Sequence, residues 1–169
     1  KHVQLRDAVV FPQAGGIFFS PSCLNTVENE LAENSNVIVI DIGYRTTDCA
    51  VFRYNRGSYK FQVEQSFTID TGMSTLFNRL SRIVADKIRI IDVSLEEAEV
   101  IFRTGKCYSK GEEIDVTKEI EQLKDFIVGN IYDQYKIKST QGSMKDTILL
   151  AGGGSIALKD NLLKNFSNA

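Results

Sequence analysis

Four β-branched aliphatic residues in a row, Val37-Ile38-Val39-Ile40, broken at once by Asp41 and then Gly43, constrain the fold more than any other feature of this chain. Such side chains are stiff at χ1 and favour strands. An apolar run without alternation is a strand covered on both faces, so the sheet that contains it needs a layer on each side. With 169 residues, 43% of them hydrophobic, the chain is long enough to build one substantial core, or a core and a small satellite, without disulfides or metals.

The pattern around that strand fills in the layers. Residues 8–11 read as the end of a strand, and Pro12-Gln13-Ala14-Gly15-Gly16 as a turn or short helix leading to Ile17-Phe18-Phe19, a pair of phenylalanines expected in the core. Residues 49–54 and 59–69 read as two further strands about the turn Asn55-Arg56-Gly57-Ser58. From Met73 the apolar residues Leu76, Phe77, Leu80, Ile83 and Val84 fall at helical spacing. Residues 88–93 read as a strand, Ser94-Leu95-Glu96-Glu97 as a capping box opening a helix to about Phe102, and residues 105–114 as a polar loop. Asp115 is placed to cap a long helix carrying Ile120, Leu123, Ile127 and Ile131. Residues 147–151 form a last strand, followed by Gly152-Gly153-Gly154-Ser155 and a helix through Leu158, Leu162 and Leu163. This order fits a mixed sheet with helices packed against it.

Charge and cysteine content exclude several functions. Lysine and arginine (20) nearly balance aspartate and glutamate (22), so no basic field draws in nucleic acid directly. Cys23, Cys49 and Cys107 are too scattered for a zinc site or a redox pair and read as reduced thiols, Cys49 as a buried one. His2 is the one histidine, which leaves no histidine-based nucleophile system. No apolar run approaches a membrane span and no leader opens the chain, so a cytoplasmic location is expected. The start at Lys1, inside a strand-like pattern and without a methionine, suggests an excised domain.

Two segments carry chemistry. The first is Asp41-Ile42-Gly43-Tyr44-Arg45-Thr46-Thr47-Asp48. A carboxylate closing a buried strand can hold a Mg²⁺-bound water, Gly43 lets the backbone approach a phosphate, and Thr46 and Thr47 add hydroxyls beside an anion-binding nest of turn amides. An ordinary hairpin, whose Asp, Gly and Thr serve only the turn, is the alternative. The second is the glycine triplet at a strand's end, where missing Cβ atoms allow a base and ribose to lie on the backbone and the following helix start favours a phosphate; the alternative there is a flexible turn. Glu96, Glu97 and Glu99 read as a solvated helix face.

The octet, in the form DxGxxTxD, resembles the second phosphate motif of the superfamily of actin, DnaK-type chaperones and sugar kinases. The triplet resembles that superfamily's adenosine motif, at a similar distance downstream, and the likeness extends from about residue 9 to residue 165. The common form has glycine where this chain has Tyr44, and often at Arg45, so the turn here is bulkier. The resemblance implies an α/β, ribonuclease H-like (actin-type) mixed sheet with flanking helices and a small inserted subdomain. Residues 1–22 would be the end of an N-terminal lobe and its linker, 23–86 and 116–169 the C-terminal, nucleotide-binding lobe, and 87–115 the insert.

The same resemblance implies ATP or GTP with Mg²⁺ as ligands, Asp41 reaching the metal through water, and Gln13, in the segment joining the two halves, orienting the attacking water. Contacts to the nucleotide would come from Gly43, Tyr44, Arg45, Thr46, Thr47, Gly72, Gly152, Gly153, Gly154 and Ser155. The compact insert is most similar to plasmid-segregation actins of the ParM/StbA type, which implies self-association into filaments, a separate DNA-binding adaptor protein, and no membrane. A non-polymerising actin-fold ATPase of a chaperone, cell-division or pilus-assembly kind, or a degenerate interaction module, remains the alternative.

Overall fold

The computed structural model describes residues 13–20, 35–139 and 146–166. The strand expected at 8–11, His2 and Cys23 lie outside the described residues. The apolar run becomes β1 (Asn36–Ile42), every residue of which is buried. It pairs antiparallel with β2 (Thr47–Asn55), from Asn36↔Arg53 to Ile42↔Thr47, and parallel with β7 (Thr147–Ala151), from Val37↔Thr147 to Asp41↔Ala151. The sheet runs β3-β2-β1-β7, with β3 (Ser58–Phe61) and β4 (Phe67–Ile69) both pairing to β2.

Alternation along β1 divides the core. Val37 and Val39, with Ala50 and Phe52 of β2, face a short helix α1 (Gln13–Phe18) through Ala14 and Phe18. Phe18 lies flat on Phe52, ring centroids 4.3 Å apart, which pins α1 to that face, while Phe19, expected in the core beside it, is instead 46% exposed. Ile38, Ile40 and Ile42 face the larger core, built by α2 (Met73–Ile88), α4 (Thr117–Lys138), α5 (Gly152–Ala157) and α6 (Lys159–Asn165) through residues such as Leu76, Leu80, Ile127, Ile131 and Leu162. The layer expected on each side of the first strand is present, and the fold is an α/β mixed sheet with flanking helices.

Between α2 and α4 lie α3 (Leu95–Thr104) and a hairpin of β5 (Lys106–Ser109) and β6 (Glu112–Asp115). The Ser94 and Glu97 capping box forms as expected, each side chain bonded to the other's backbone amide. Val93, Ala98, Ile101 and Cys107 join the same buried cluster as α2 and α4, so this segment is welded to the larger core.

Local readings differ from the structure in four further places. Residues 88–93 are not a strand: α2 continues to Ile88, closes on a left-handed Arg89 at φ 58°, and leaves Ile91 fully exposed. Residues 105–114 are not a loop but the β5–β6 hairpin, turned by Lys110 and Gly111 at φ 53° and 86°. Residues 59–69 do not form one strand, because a 3₁₀ turn at Val63–Gln65 separates β3 from β4. The first helical residue after Asp115 is Thr117, whose amide Asp115 accepts at 2.7 Å, one position earlier than an N-cap stands.

Candidate functional site

Because β1 and β7 are parallel, their carboxyl ends open on the same edge of the sheet, the place where ligands collect in sheets of this kind. Asp41 closes β1 there, and Ala151, its partner in register, leads straight into Gly152. A Cβ on Gly152 would collide with Asp41 Oδ1 and lie 2.6 Å from the Ile42 carbonyl, and Gly152 has φ 82°. The carboxylate and the glycine triplet therefore meet at one point.

Asp41 is 7% exposed, and among the described residues no side chain donates a hydrogen bond to its carboxylate. Asp48 stands directly across the antiparallel pair, and residues opposite one another in such a pair project to the same face. Burial first, and then the Asp48 charge, push the Asp41 carboxyl above its ordinary range. Asp48 itself accepts from Thr68 Oγ1 at 2.5 Å and from Thr46 Oγ1 at 3.4 Å. Two neighbouring carboxylates, one of them short of donors, suit a hydrated divalent cation. Among the described residues no group of three or more His, Cys, Asp or Glu side chains could hold a metal alone. That donor set fits Mg²⁺, which keeps several waters and shares its shell with phosphates.

The turn after β1 is locked from behind. The Gly43 amide donates to Thr46 O at 2.9 Å, and the leading amides of α2 reach over to the turn, Met73 to Gly43 O at 3.1 Å and Ser74 to Tyr44 O at 2.7 Å. Gly72 makes this approach possible, since a Cβ there would lie 2.7 Å from Arg45 C and 2.8 Å from both the Gly43 and Tyr44 carbonyl oxygens. Among the described residues the Tyr44 and Arg45 amides have no backbone acceptor, which leaves two successive N–H groups at the tip for an anion.

Beyond the tip is a cleft of about 290 Å³ lined by Gly43 and Tyr44, by Phe77 of α2, by Glu99 and Arg103 of α3, and by Gly153 and Gly154. Glu99, read from the sequence as part of a solvated face, pairs with Arg103 on this wall, while Glu96 and Glu97 are exposed elsewhere. On the other face of the sheet Ala14 of α1 shares a second hollow with Asp48 and Thr68. Gln13, exposed at the start of α1, thus sits on the face to which Asp41 and Asp48 project.

The residues singled out in the sequence divide into two groups. Gly43, Tyr44, Gly153 and Gly154 line the cleft, and Arg45 and half-buried Thr46 lie on the turn beside it. Thr47, Gly72, Gly152 and Ser155 stand behind it as scaffold. The buried Thr47 hydroxyl donates to Thr71 O at 2.7 Å, so its proton is committed inside the protein, and the buried Ser155 hydroxyl donates to Ala151 O. A Cβ on Gly154 would strike Ile42, whereas Gly153 has open space. Asp48 is the residue that sequence reasoning passed over. Its signal was in the octet, where a four-residue turn between antiparallel strands forces the two aspartates into register.

The family model described as archaeal actin homologue MreB-like, C-terminal, matches residues 39–164. The fold is similar to that of the pCBH ParM non-polymerisable quadruple mutant, with 28% identity and a TM-score of 0.84 over 95% of this chain and 48% of that one. It is similar to a 15-stranded ParM filament from Clostridium botulinum, with 28% identity and a TM-score of 0.80 over 96% of this chain and 48% of that one. An archaeal actin homologue in complex with ADP shares the fold, with 21% identity and a TM-score of 0.70 over 91% of this chain and 48% of that one. The chain spans about half the length of the structures it matches. A comparison with curated proteins gives no match.

Proposed function

Since the chain belongs to the family of archaeal actin homologues described as MreB-like, C-terminal, we propose that it is the nucleotide-binding lobe of an actin-like ATPase acting on ATP or GTP with Mg²⁺. The observation that carries this reading is the convergence of the buried Asp41 carboxylate, the two unpaired turn amides and the bare backbone of Gly153 on one edge of the sheet. Asp41 holds a metal-bound water, with Asp48 deepening the negative field around it. The Tyr44 and Arg45 amides take up phosphate oxygens, and Gly153 leaves the cleft open for the sugar and base. Gln13 orients the attacking water from the α1 side, a task that needs a carboxamide rather than a strong base. The metal, once bound, neutralises charge on the phosphates. Residues 87–115 act as the inserted subdomain, 23–86 and 116–169 as the lobe proper, and 1–22 as the link to a second lobe that supplies the remaining phosphate contacts.

Resemblance to ParM, including a neighbour that is itself a filament, supports self-association of the full-length protein into filaments. Plasmid segregation through a DNA-binding adaptor agrees with the near balance of 20 basic and 22 acidic residues, which gives no field for holding DNA directly. Phosphate release by the full-length protein with Mg-ATP tests the enzymatic part. Asp41→Ala should lower the rate on the order of a hundredfold, as expected for a group worth several kcal/mol of charge stabilisation. Equal rates would leave the site without a catalytic role. Light scattering on adding Mg-ATP tests assembly, a rapid rise supporting filaments and a flat trace a non-polymerising ATPase.

A further inference from the structure

One wall of the cleft is the side chain of Tyr44. Tyr44 is 52% exposed at the tip of the turn, with its carbonyl clamped by the Ser74 amide at 2.7 Å. Its ring tilts against Phe77 at 6.3 Å between centroids, and Phe77 meets Phe102 edge-on at 5.6 Å. A row of three aromatic rings thus runs from the turn to α3 along the cleft that Gly153 and Gly154 also line. The backbone is held in place, yet half of a large amphipathic ring faces solvent. A slot with aromatic surface and side-chain-free backbone in its walls suits a flat, partly apolar group, because such surfaces stack without needing a matched hydrogen-bond pattern.

The geometry points to Tyr44 as a specificity-determining residue that packs on the sugar and base of the bound nucleotide, adding contact on the cleft's turn side. The inference rests on the nucleotide reading of the site given above. Its content is separate: phosphate affinity comes from the turn amides, that of Tyr44 included, and from Asp41, whereas the Tyr44 ring acts on the nucleoside half alone.

The test compares calorimetric binding of Mg-ADP and of Mg-tripolyphosphate, which has phosphates but no nucleoside, to the full-length protein and its Tyr44→Ala and Tyr44→Phe variants. Tyr44→Ala should weaken Mg-ADP roughly tenfold, the loss expected for one base-to-ring contact. Tyr44→Phe should bind Mg-ADP as the parent does, and tripolyphosphate should bind all three proteins alike. Unchanged Mg-ADP affinity in Tyr44→Ala overturns the inference. So does an equal loss for both ligands, which would mean that the ring only shapes the turn. A parent protein that binds tripolyphosphate but not ADP would sink the nucleotide reading itself, and Tyr44's role with it. Should Tyr44→Ala fold poorly, Tyr44→Leu fills the space against Phe77 without an aromatic face, and the same comparison applies.

Discussion

Three adjacent glycines should respond to the same substitution in opposite directions. In Gly152→Ala the new methyl meets Asp41 Oδ1 and the Ile42 carbonyl oxygen, 2.6 Å away, at a residue with φ 82°. Left-handed backbone costs a non-glycine residue about 1 kcal/mol, and overpacking against backbone adds about 1–3 kcal/mol. The sum is about 3 kcal/mol, which for a domain of this size lowers Tm by roughly 6–12 °C. Gly153→Ala places its methyl in open space on a helix, where alanine is favoured by about 0.5 kcal/mol, so Tm should rise by roughly 1–2 °C. Gly154→Ala strikes Ile42, including its carbonyl oxygen at 2.8 Å, and should fall between the two. Thermal melts of the 169-residue chain followed by circular dichroism give the three shifts, and calorimetry on the full-length protein gives nucleotide affinity. If a ligand lies on this backbone, Gly153→Ala should weaken binding while melting no lower than the parent. A Gly153→Ala protein that melts as low as Gly152→Ala would refute the packing of the triplet on β1. One that is stable and binds nucleotide undiminished would refute the ligand's place on Gly153.

Other expectations follow from single contacts. A buried acid whose carboxyl is raised above its ordinary value of 3.8 stabilises the fold fully below that value and loses this contribution as pH rises through the raised one. Asp41→Asn should therefore melt higher than the parent at pH 7, with the gap closing as the solution is acidified toward pH 4; a gap independent of pH would argue against the ionised, donor-poor carboxylate. Ser94→Ala removes one half of the capping box at α3 and should lower Tm by roughly 2–4 °C, which a thermal melt resolves. Burial, then the Asp48 charge, push the Cys49 thiol up to about 12 against a smaller opposing pull from Lys138. Peptide mapping after iodoacetamide at pH 8 should find Cys49 unmodified in the native protein and alkylated after denaturation.

What the sequence disclosed, and what it withheld, follows the range of the forces involved. β1 was legible because burial on both faces leaves four β-branched residues in a row, a local record of a global fact. The meeting of Asp41 with the glycine triplet could be inferred from two motifs, each with its own punctuation. The stretch after α2 misled because Ile88, Ile90 and Ile91 look like a strand to any local scale. In the folded chain Ile88 ends a helix whose buried side is set by Val84 and Ala85, and Ile91 meets nothing. The β5–β6 hairpin was missed because only Cys107 on it is buried, which gives too little alternation, and its turn is Lys110-Gly111 in place of the Asn-Gly or Asp-Gly that usually marks such a bend. Glu99 was read as part of a solvated helix face, and its place on the cleft was not foreseen. Its position on the cleft depends on α3 docking through Ala98 and Ile101, contacts that no short window of sequence contains.

The same distinction separates scaffold from contact within the site. Thr47, Gly72, Gly152 and Ser155 are satisfied by the protein itself, through an internal hydrogen bond or through backbone that fills the space of a missing Cβ. Asp41, the Tyr44 and Arg45 amides, the exposed face of Tyr44 and the open side of Gly153 have no such partner among the described residues. A buried acid beside another acid works against folding, and turn amides without acceptors add nothing to it. These groups gain only when a ligand arrives with positive charge for the carboxylates, acceptors for the amides and a flat surface for the ring. A ligand that binds the folded state alone returns that gain as stability. The motif is therefore best divided by where each group's partner lies, and on that criterion the contact set is smaller than the motif, with Asp48, held by Thr68 and Thr46, acting on it through its charge.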